Sequence, residues 1–524
     1  RTPSREAPVP FVRRCLRRPL LTRSVLPRTQ APLFRVRPIL PIPPENAPRE
    51  AILAAGLHPA LMGHNHSPAL AVCPNGDLLA VYYTSYREYE PEVALLGVRL
   101  RRGADEWDFP DLLLDLPGTN DHAPLLWTDR GRLHLFWGNP RLRSGTYPFN
   151  WTTSPDSGAT WGDLRLPRFV GRVGAHSRQP INTALRGPDG TLYLASDAVG
   201  AASVLWVSRD NGRTWSDPGG RTGGRHTTFA FLGDGRILGM GGKNSDIDGY
   251  MPAFISGDGG QSWQTTRTPF PALGNNQRPS LLRLASGRLF FATDLQHFDG
   301  RRPAGFGLAG AAVALSEDDG RSWHIRPLPG ALPHERPQHP ATTLGYSAAR
   351  QAPDGAIHLV TSMNHPALHF EMNEAWILGS AEEISPPPQA AGPPSTVQET
   401  WPDGRLRAVL HVALGSHGRP LLHGPQRWYR VDREVEWEAE YRDGRRVGVE
   451  AAWRTGDRPE WRWERAAGGV ATWTQWWESG PKRFESTWKG HRAEGPARTW
   501  DPRGRLVCEA VFAAGELVSV TYPS

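Results

Sequence analysis

One short pattern, a turn glycine followed by a brief apolar run, recurs along the first part of the chain. It reads Asn-Gly-Asp-Leu-Leu-Ala-Val around Gly76 and Gly-Arg-Leu-His-Leu-Phe from Gly131. Further copies begin at Gly190, Gly235, Gly287 and Gly355, which makes six. A glycine ahead of a short apolar run is typical of a tight turn that enters a β-strand. The pattern therefore predicts an all-β protein with six similar units.

A second motif, Ser-x-Asp-x-Gly-x-x-Trp, lies between these strands and starts at Ser154, Ser208, Ser256 and Ser316, with spacings of 54, 48 and 60 residues. The aspartate can hydrogen-bond its own backbone, the glycine can adopt a positive φ, and the tryptophan can pack beneath the hairpin. Each spacing fits one four-stranded blade with its loops. We predict a six-bladed β-propeller over residues 55–380, with a degenerate box at 102–107 in the first blade and none in the last.

The flanking segments have other compositions. Residues 1–50 are rich in Arg and Pro and poor in acidic residues, which predicts a disordered or poorly packed lead-in. The Pro-rich stretch at 384–400 predicts a linker. Residues 405–520 contain short aromatic-and-glycine units that resemble variant MORN repeats, so a small C-terminal β-hairpin repeat domain is expected there. Its tryptophans are interpreted as the core of the hairpin stack, with a sugar-binding face as the alternative.

Composition excludes several function classes. The net charge of +7 is carried almost wholly by arginine, and no arginine run is interleaved with aromatic residues, so nucleic-acid binding is not expected. No stretch approaches the roughly 20 apolar residues of a membrane span, and no apolar signal core is found at the N-terminus. Three distant cysteines do not form a disulfide framework.

The start of each blade's innermost strand is expected to face a pocket on the propeller axis. The positions that lie nine to twelve residues before the six turn glycines are His66, His122, Arg178, His226, Arg278 and Tyr346. None is aliphatic, which is typical of a polar ligand pocket. The alternative is that these groups hydrogen-bond loop backbone at the axis.

Other polar residues adjoin these positions. Those taken as candidate site residues are Asn65, Asp121, Arg87, Glu90, Glu92 and Glu371. Glu88 belongs to the same acidic group as Glu90 and Glu92. A metal site built from His66, His122 and His226 is an alternative, but no local ligand spacing supports zinc, so neither a metal nor a cofactor is predicted.

The boxes and glycine turns resemble those of the sialidase (neuraminidase) superfamily, also called the BNR or Asp-box repeat proteins, across about 320 residues. The resemblance implies an arginine triad that holds the substrate carboxylate, a tyrosine nucleophile activated by a glutamate, and an aspartate acid/base. Tyr346 lies where the resemblance places the tyrosine, and Arg278 is similar in position to a triad arginine. Glu90 or Glu92 lies near the place of the acid/base, and His66 is a further catalytic candidate.

The first blade departs from the family pattern, because Arg-Ile-Pro is replaced by His66-Ser67-Pro68. A histidine cannot offer the bidentate fork of an arginine, so strict exo-α-sialidase activity is not expected. The resemblance implies an exo-acting glycoside hydrolase on an acidic sugar, with an acidic oligo- or polysaccharide as partner and a secreted or periplasmic location. Two alternatives stay open. One is a polysaccharide lyase that cleaves at a uronic acid by β-elimination, and the other is a non-catalytic glycan-binding propeller.

Overall fold

The fold is nearly all β. The computed structural model describes residues 31–39, 41, 43–44, 46–139, 147–336, 341–380, 384–401, 403–454 and 458–523. Within those ranges only two short helices occur, α1 at Arg49–Ala54 and α2 at Glu374–Leu378. Neither is long and apolar enough to cross a membrane. The all-β fold class expected from the turn pattern is confirmed.

Six antiparallel sheets form the blades of a propeller, as the six glycine units predict. The first strand, β1, is Phe34–Pro38. The first blade holds β2 His64–Val72, β3 Leu78–Ser85, β4 Ala94–Leu100 and β5 Asp111–Leu114, and the second holds β6 His122–Asp129, β7 Arg132–Gly138 and β8 Asn150–Ser154. The third holds β9 His176–Arg186, β10 Leu192–Ala198, β11 Ala202–Ser208 and β12 Thr222–Gly223, and the fourth holds β13 Arg225–Phe231, β14 Ile237–Lys243, β15 Tyr250–Ser256 and β16 Gln264–Pro271. The fifth holds β17 Ser280–Arg283, β18 Leu289–Asp294, β19 Ala311–Ser316 and β20 His324–Pro327, and the sixth holds β21 Ala348–Gln351, β22 Ile357–Val360 and β23 Leu368–Met372.

Strand β1 completes the sixth blade from the other end of the chain. It pairs antiparallel with β23, and Phe34 stacks on Trp376 with ring centroids 3.9 Å apart. This pairing covers an edge strand that would otherwise be open. The poorly packed lead-in predicted for residues 1–50 therefore does not extend over 34–38, and residues 1–30 lie outside the described ranges. Composition misled the prediction, because Arg35 and Arg37 of this strand are buried against carboxylates.

The four Ser-x-Asp-x-Gly-x-x-Trp motifs form the same turn. In each, the serine Oγ accepts a hydrogen bond of 2.8 Å from the glycine backbone N–H. The aspartate accepts from the backbone N–H of the residue directly before the tryptophan, as Asp156 Oδ1 does from Thr160 N at 2.8 Å. These turns are structural, since their hydrogen bonds are local and each lies between the third and fourth strands of a blade or just after the last one.

The C-terminal residues form one antiparallel sheet of twelve strands. Its strands are β24 Ser395–Thr400, β25 Leu406–Leu414, β26 Pro420–Leu422, β27 Gly424–Tyr429, β28 Val435–Arg442, β29 Arg445–Arg454, β30 Arg458–Arg465, β31 Val470–Trp476, β32 Lys482–Lys489, β33 Arg492–Trp500, β34 Leu506–Ala513 and β35 Glu516–Thr521. The sheet thus begins inside the segment predicted as a linker. Trp437, Trp461, Trp473 and Trp488 are buried in its core, which also includes Ile52 of α1. The MORN likeness stays a prediction.

A network of ion pairs joins this sheet to the propeller at the degenerate box of the first blade. Arg446 contacts Asp108, and its Nη1 lies 3.2 Å from Glu106. The backbone of Asp105 donates to the carbonyl of Gly444 at 2.7 Å. The box has thus lost the repeat motif and gained acidic residues that face basic ones on the C-terminal sheet.

Replacing Arg446 with methionine is expected to lower the free energy of unfolding by about 2–3 kcal/mol, because it removes a buried cation from Asp108 and Glu450, although Arg101 and Arg465 still pair with these carboxylates. The matched control is Arg498→Met, whose exposed pair with Glu509 at 2.8 Å should cost no more than about 1 kcal/mol. Urea unfolding followed by tryptophan fluorescence measures both. Equal midpoints for the two variants would show that this network adds little stability.

Candidate functional site

Four of the six predicted pocket residues meet at the starts of the inner strands. The ring of His66 lies 4.0 Å from that of Tyr346, and His226 Nε2 lies 2.9 Å from the Tyr346 hydroxyl. His122 stacks on Tyr83 at 4.2 Å, and Tyr83 in turn faces the ring of His66 at 5.7 Å. The strands are irregular at this point, which is a frequent property of functional sites. Positive φ angles occur at Ser67 (53°), Ala123 (49°) and His226 (64°).

Asp197, His226 and Tyr346 form a line of three interacting groups. Asp197 Oδ1 accepts the backbone N–H of His226 at 2.8 Å and lies 3.1 Å from its Nδ1. In the tautomer that carries its proton on Nδ1, near the carboxylate but outside hydrogen-bond geometry, the Nε2 lone pair accepts the Tyr346 hydroxyl. This is the order of an orienting acid, a base and a reacting hydroxyl group.

Burial and neighbouring charges set the protonation states of this line. Burial lowers the pKa of His226 to about 3 despite the nearby Asp197, so the imidazole is neutral at neutral pH. Burial also raises the pKa of Tyr346 above its usual value, so the free pocket holds a phenol. Burial acts to raise the pKa of Asp197, but His226 and Arg225 outweigh it and lower the value to about 2. The resting state is a carboxylate, a neutral base and a protonated hydroxyl.

Lys243 contacts the Tyr346 hydroxyl from the other side. Burial, followed by the charge of Arg225, lowers the pKa of this lysine to about 8. Arg225 itself donates to Asp197 Oδ2 at 2.9 Å and to Gln179 at 2.5 Å, and 31% of its side chain is exposed. Lys243 thus contacts the phenol hydroxyl and Arg225 lies near it, so both cations can stabilise negative charge that develops on the Tyr346 oxygen.

Glu88 is a partly exposed carboxylate beside this cluster. It lies 3.4 Å from His122 Nε2, and 37% of its side chain is exposed. Burial acts to raise its pKa, but the hydrogen bond and charge of His122 outweigh this and lower it to about 2. The residue is therefore ionised in the free pocket.

Arg278 is central but does not face open space. Its guanidinium donates to Ser67 Oγ at 3.0 Å and to the carbonyls of Pro68 at 2.6 Å and Ser347 at 3.2 Å, and the residue is 2% exposed. It lies 5.1 Å from the centroid of the Tyr346 ring. These contacts hold the backbone around His66 and Tyr346, and the predicted role of Arg278 in substrate binding stays a prediction.

Three other predicted residues contact the protein near the pocket. Arg178 donates to the Asn139 carbonyl at 3.2 Å, and Asn65 donates to the Met62 carbonyl at 2.7 Å. Asp121 accepts from Trp137 Nε1 at 2.9 Å, and burial raises its pKa to about 7. The structure thus gives each of them a local structural contact.

The remaining predicted residues lie apart from Tyr346. Arg87 is 82% exposed and pairs with Glu90 at 3.8 Å, and Glu92 is exposed on the same loop. Glu371 is buried on β23 against Arg37 at 2.7 Å and against Arg419 of the C-terminal sheet. The sequence could not show that Glu88, Glu90 and Glu92 have different surroundings, and that Glu88 is the one that contacts His122. Glu371 lies on an outer strand of its blade, and this position explains why it contacts the C-terminal sheet through Arg419.

Three pocket residues were missed by sequence reasoning: Tyr83, Asp197 and Lys243. All lie near the end of a second strand, on β3, β10 and β14, where they adjoin the start of an inner strand. A search for polar residues at the ends of second strands would have found them. Across the described ranges, no cluster of three His, Cys, Asp or Glu side chains could hold a metal ion.

Activity that needs the Lys243 ammonium is expected to fall as the pH rises through about 8, because the proton is bound below this pKa and lost above it. The measurement is kcat/KM against pH for the native chain and for Lys243→Met. We expect the variant to have low activity without this alkaline limb. An unchanged limb in the variant would assign it to another group.

Residues 76–359 match the model of the BNR repeat-like domain. The chain belongs to this family. It is 25% identical over 372 residues to a sialidase of Micromonospora viridifaciens, a match that covers 62% of this chain and 54% of the relative. The chain thus spans about half the length of that relative. The sialidase-like resemblance inferred from the repeats is confirmed by the family match together with this relative.

Two solved structures are similar to this member of the BNR repeat-like family. One is a Trypanosoma rangeli sialidase in complex with an inhibitor, with 11% identity, coverage of 94% of this chain and 90% of that chain, and a TM-score of 0.46. The other is a Dyadobacter fermentans protein of unknown function, with 13% identity, coverage of 64% and 99%, and a TM-score of 0.46.

Proposed function

We propose that this chain cleaves a glycosidic bond at an acidic sugar, with Tyr346 as the side chain that reacts. The observation that carries the proposal is the line from Asp197 through His226 to the Tyr346 hydroxyl, with distances of 3.1 and 2.9 Å. A neutral base in contact with a hydroxyl group can accept its proton as the oxygen attacks or itself takes a proton.

The charges around Tyr346 support an anionic substrate. Lys243, Arg225 and Arg278 bring three positive charges to the surroundings of Tyr346, against the negative charges of Asp197 and Glu88. A carboxylate on the sugar would complement the partly exposed guanidinium of Arg225. An acidic oligo- or polysaccharide is thus the proposed partner, and a secreted or periplasmic location accords with it.

In the hydrolytic form of the proposal, the Tyr346 oxygen attacks the anomeric carbon and passes its proton to His226. The bond from that carbon to the leaving oxygen breaks, and the leaving oxygen must gain a proton. Glu88 is a partly exposed carboxyl group beside this cluster, and it would have to bind a proton when substrate displaces the contact with His122. Water then cleaves the bond to Tyr346 and completes the reaction.

Elimination at a uronic acid is the second candidate, and the nature of the groups around Tyr346 favours it. Nitrogen atoms of His226 and Lys243 contact the hydroxyl, the His66 ring packs on the phenol ring, and no protonated carboxyl group adjoins the hydroxyl within the described ranges. Tyr346, with its proton on His226, would take the C5 proton of the sugar. The electron pair forms the C4–C5 double bond as the C4–oxygen bond breaks, and Tyr346 passes the proton that it took from C5 to the leaving oxygen; the proton on His226 then returns to Tyr346.

The test uses the full chain with sialyl-lactose and with uronic-acid polysaccharides, and it follows reducing ends together with absorbance near 235 nm, where the unsaturated uronate absorbs. New ends without this absorbance establish hydrolysis, and new ends with it establish elimination. Binding of a glycan without new ends would overturn the proposal in favour of a glycan-binding propeller.

A further inference from the structure

A cavity of about 800 Å³ lies at the far ends of the inner strands from Tyr346. His66 is near the start of β2, whereas Val72 at its end lines this cavity. All six blades contribute to its wall, and residues 415, 417 and 419–421 of the C-terminal part of the chain also line it. We call this cavity the axial chamber.

Arg350 gives the axial chamber an uncompensated positive charge. Its guanidinium donates to the backbone carbonyls of Ala349 at 2.7 Å, Leu126 at 2.7 Å and Asn182 at 3.1 Å, all of them neutral acceptors. Within the described ranges no carboxylate forms an ion pair with it. Burial alone lowers its pKa to about 10, so it remains charged at neutral pH.

Two of the other arginines at the axial chamber differ from Arg350 because carboxylates neutralise them. Arg37 lies 2.7 Å from Glu371, and Arg419 lies 3.0 Å from Asp354. Proteins ordinarily pair a buried charge, since removing it from water without a partner is costly. An unpaired guanidinium on the wall of a large cavity is therefore best explained by an anion that enters the cavity.

The rest of the wall is largely apolar. It includes the side chains of Trp127, Leu185, Phe229, Phe231 and Leu282. Such a wall suits a carbon skeleton, and one charged group at its end would fix the orientation of a ligand. We propose that the axial chamber binds a small organic anion with an apolar body, and that Arg350 binds its anionic group.

This inference does not depend on the proposed reaction at Tyr346. The probes are a matched pair of dyes, anilinonaphthalenesulfonate and phenylnaphthylamine, which share an apolar body and differ in the sulfonate. We expect the native chain to bind anilinonaphthalenesulfonate about 10- to 100-fold more tightly than phenylnaphthylamine, because a charge-assisted hydrogen bond contributes about this difference in affinity. Fluorescence titration of the folded full chain measures both dissociation constants.

Two variants locate the binding. Arg350→Met should remove the preference for the sulfonate, and Ala184→Phe should weaken both dyes because it fills part of the chamber without removing the charge. Arg213→Met is the control, since it removes an exposed charge outside the chamber and should change neither constant. Circular dichroism in the near ultraviolet checks folding.

The absence of a preference for the sulfonate in the native chain overturns the inference, as does a preference that persists in a folded Arg350→Met. If Arg350→Met does not fold, the dissociation constants of Ala184→Phe test the inference instead. Unchanged dissociation constants in that variant would show that the dyes bind outside the axial chamber, and would overturn the inference. Failure here leaves turnover at Tyr346 unaffected, so the two proposals can fail separately.

Discussion

Replacing Tyr346 with phenylalanine is expected to lower kcat by at least about 10³-fold, while substrate binding changes little. The phenyl ring keeps its packing at 4.0 Å from His66 and at 5.1 Å from the Arg278 guanidinium. The variant loses only the hydroxyl that His226 and Lys243 contact. The measurement is kcat on the substrate identified in the polysaccharide screen, together with the dissociation constant by calorimetry.

Tyr82→Phe is the matched control, because it makes the same chemical change at a buried tyrosine outside the pocket. Its hydroxyl donates to the Thr361 carbonyl at 2.9 Å. We expect a stability loss of about 1 kcal/mol and a kcat within about twofold of the native value. If Tyr346→Phe retained the kcat of this control, another group would have to be the reacting one.

The fold could be predicted from the sequence because its determinants are local. A turn such as that from Ser154 to Trp161 encodes its own hydrogen bonds, so four copies and six turn glycines were enough to count the blades. Strand β1 was missed for the opposite reason. Its partners, β23 and the carboxylates of Asp105 and Glu371, are distant in sequence, and its own composition is that of a disordered segment.

The pocket could be predicted only as far as the repeat extends. Counting back from the turn glycines found His66, His122, His226 and Tyr346, since each begins an inner strand or lies just before one. Asp197 and Lys243 lie on second strands, and only sheet pairing shows that they adjoin the inner ones. Sequence also cannot distinguish an arginine that binds a ligand from one, such as Arg278, that binds backbone carbonyls.

In the proposed reaction, the base beside Tyr346 differs from the glutamate that the family resemblance implies. His226 would take that place, and Asp197 would orient it. A glutamate would bring negative charge directly to the phenol, whereas a neutral imidazole leaves the cations Lys243 and Arg225 dominant there. Under the proposed function, these cations would attract an acidic sugar although His66 replaces the arginine of the first blade.

Asp197 is the positioning residue of this line, and Asp197→Asn is expected to lower kcat by roughly 10³-fold, as loss of an orienting carboxylate does in such arrangements. The amide can donate to His226 Nδ1 and so move the ring proton to Nε2. The imidazole would then donate to the Tyr346 hydroxyl, when the reaction needs it to accept. The measurement is kcat and KM across the pH range.

Asp129→Asn is the control for this change, because Asp129 pairs with Arg186 at the far end of the inner strands. Loss of this pair should leave kcat within about twofold of the native value.

A double variant that combines Asp197→Asn with Tyr346→Phe tests whether the role of Asp197 is purely structural. Residues that act as one unit are strongly non-additive, so the double variant should be no slower than Tyr346→Phe alone by more than about twofold. Independent, multiplying losses would instead show that Asp197 supports the pocket without serving Tyr346.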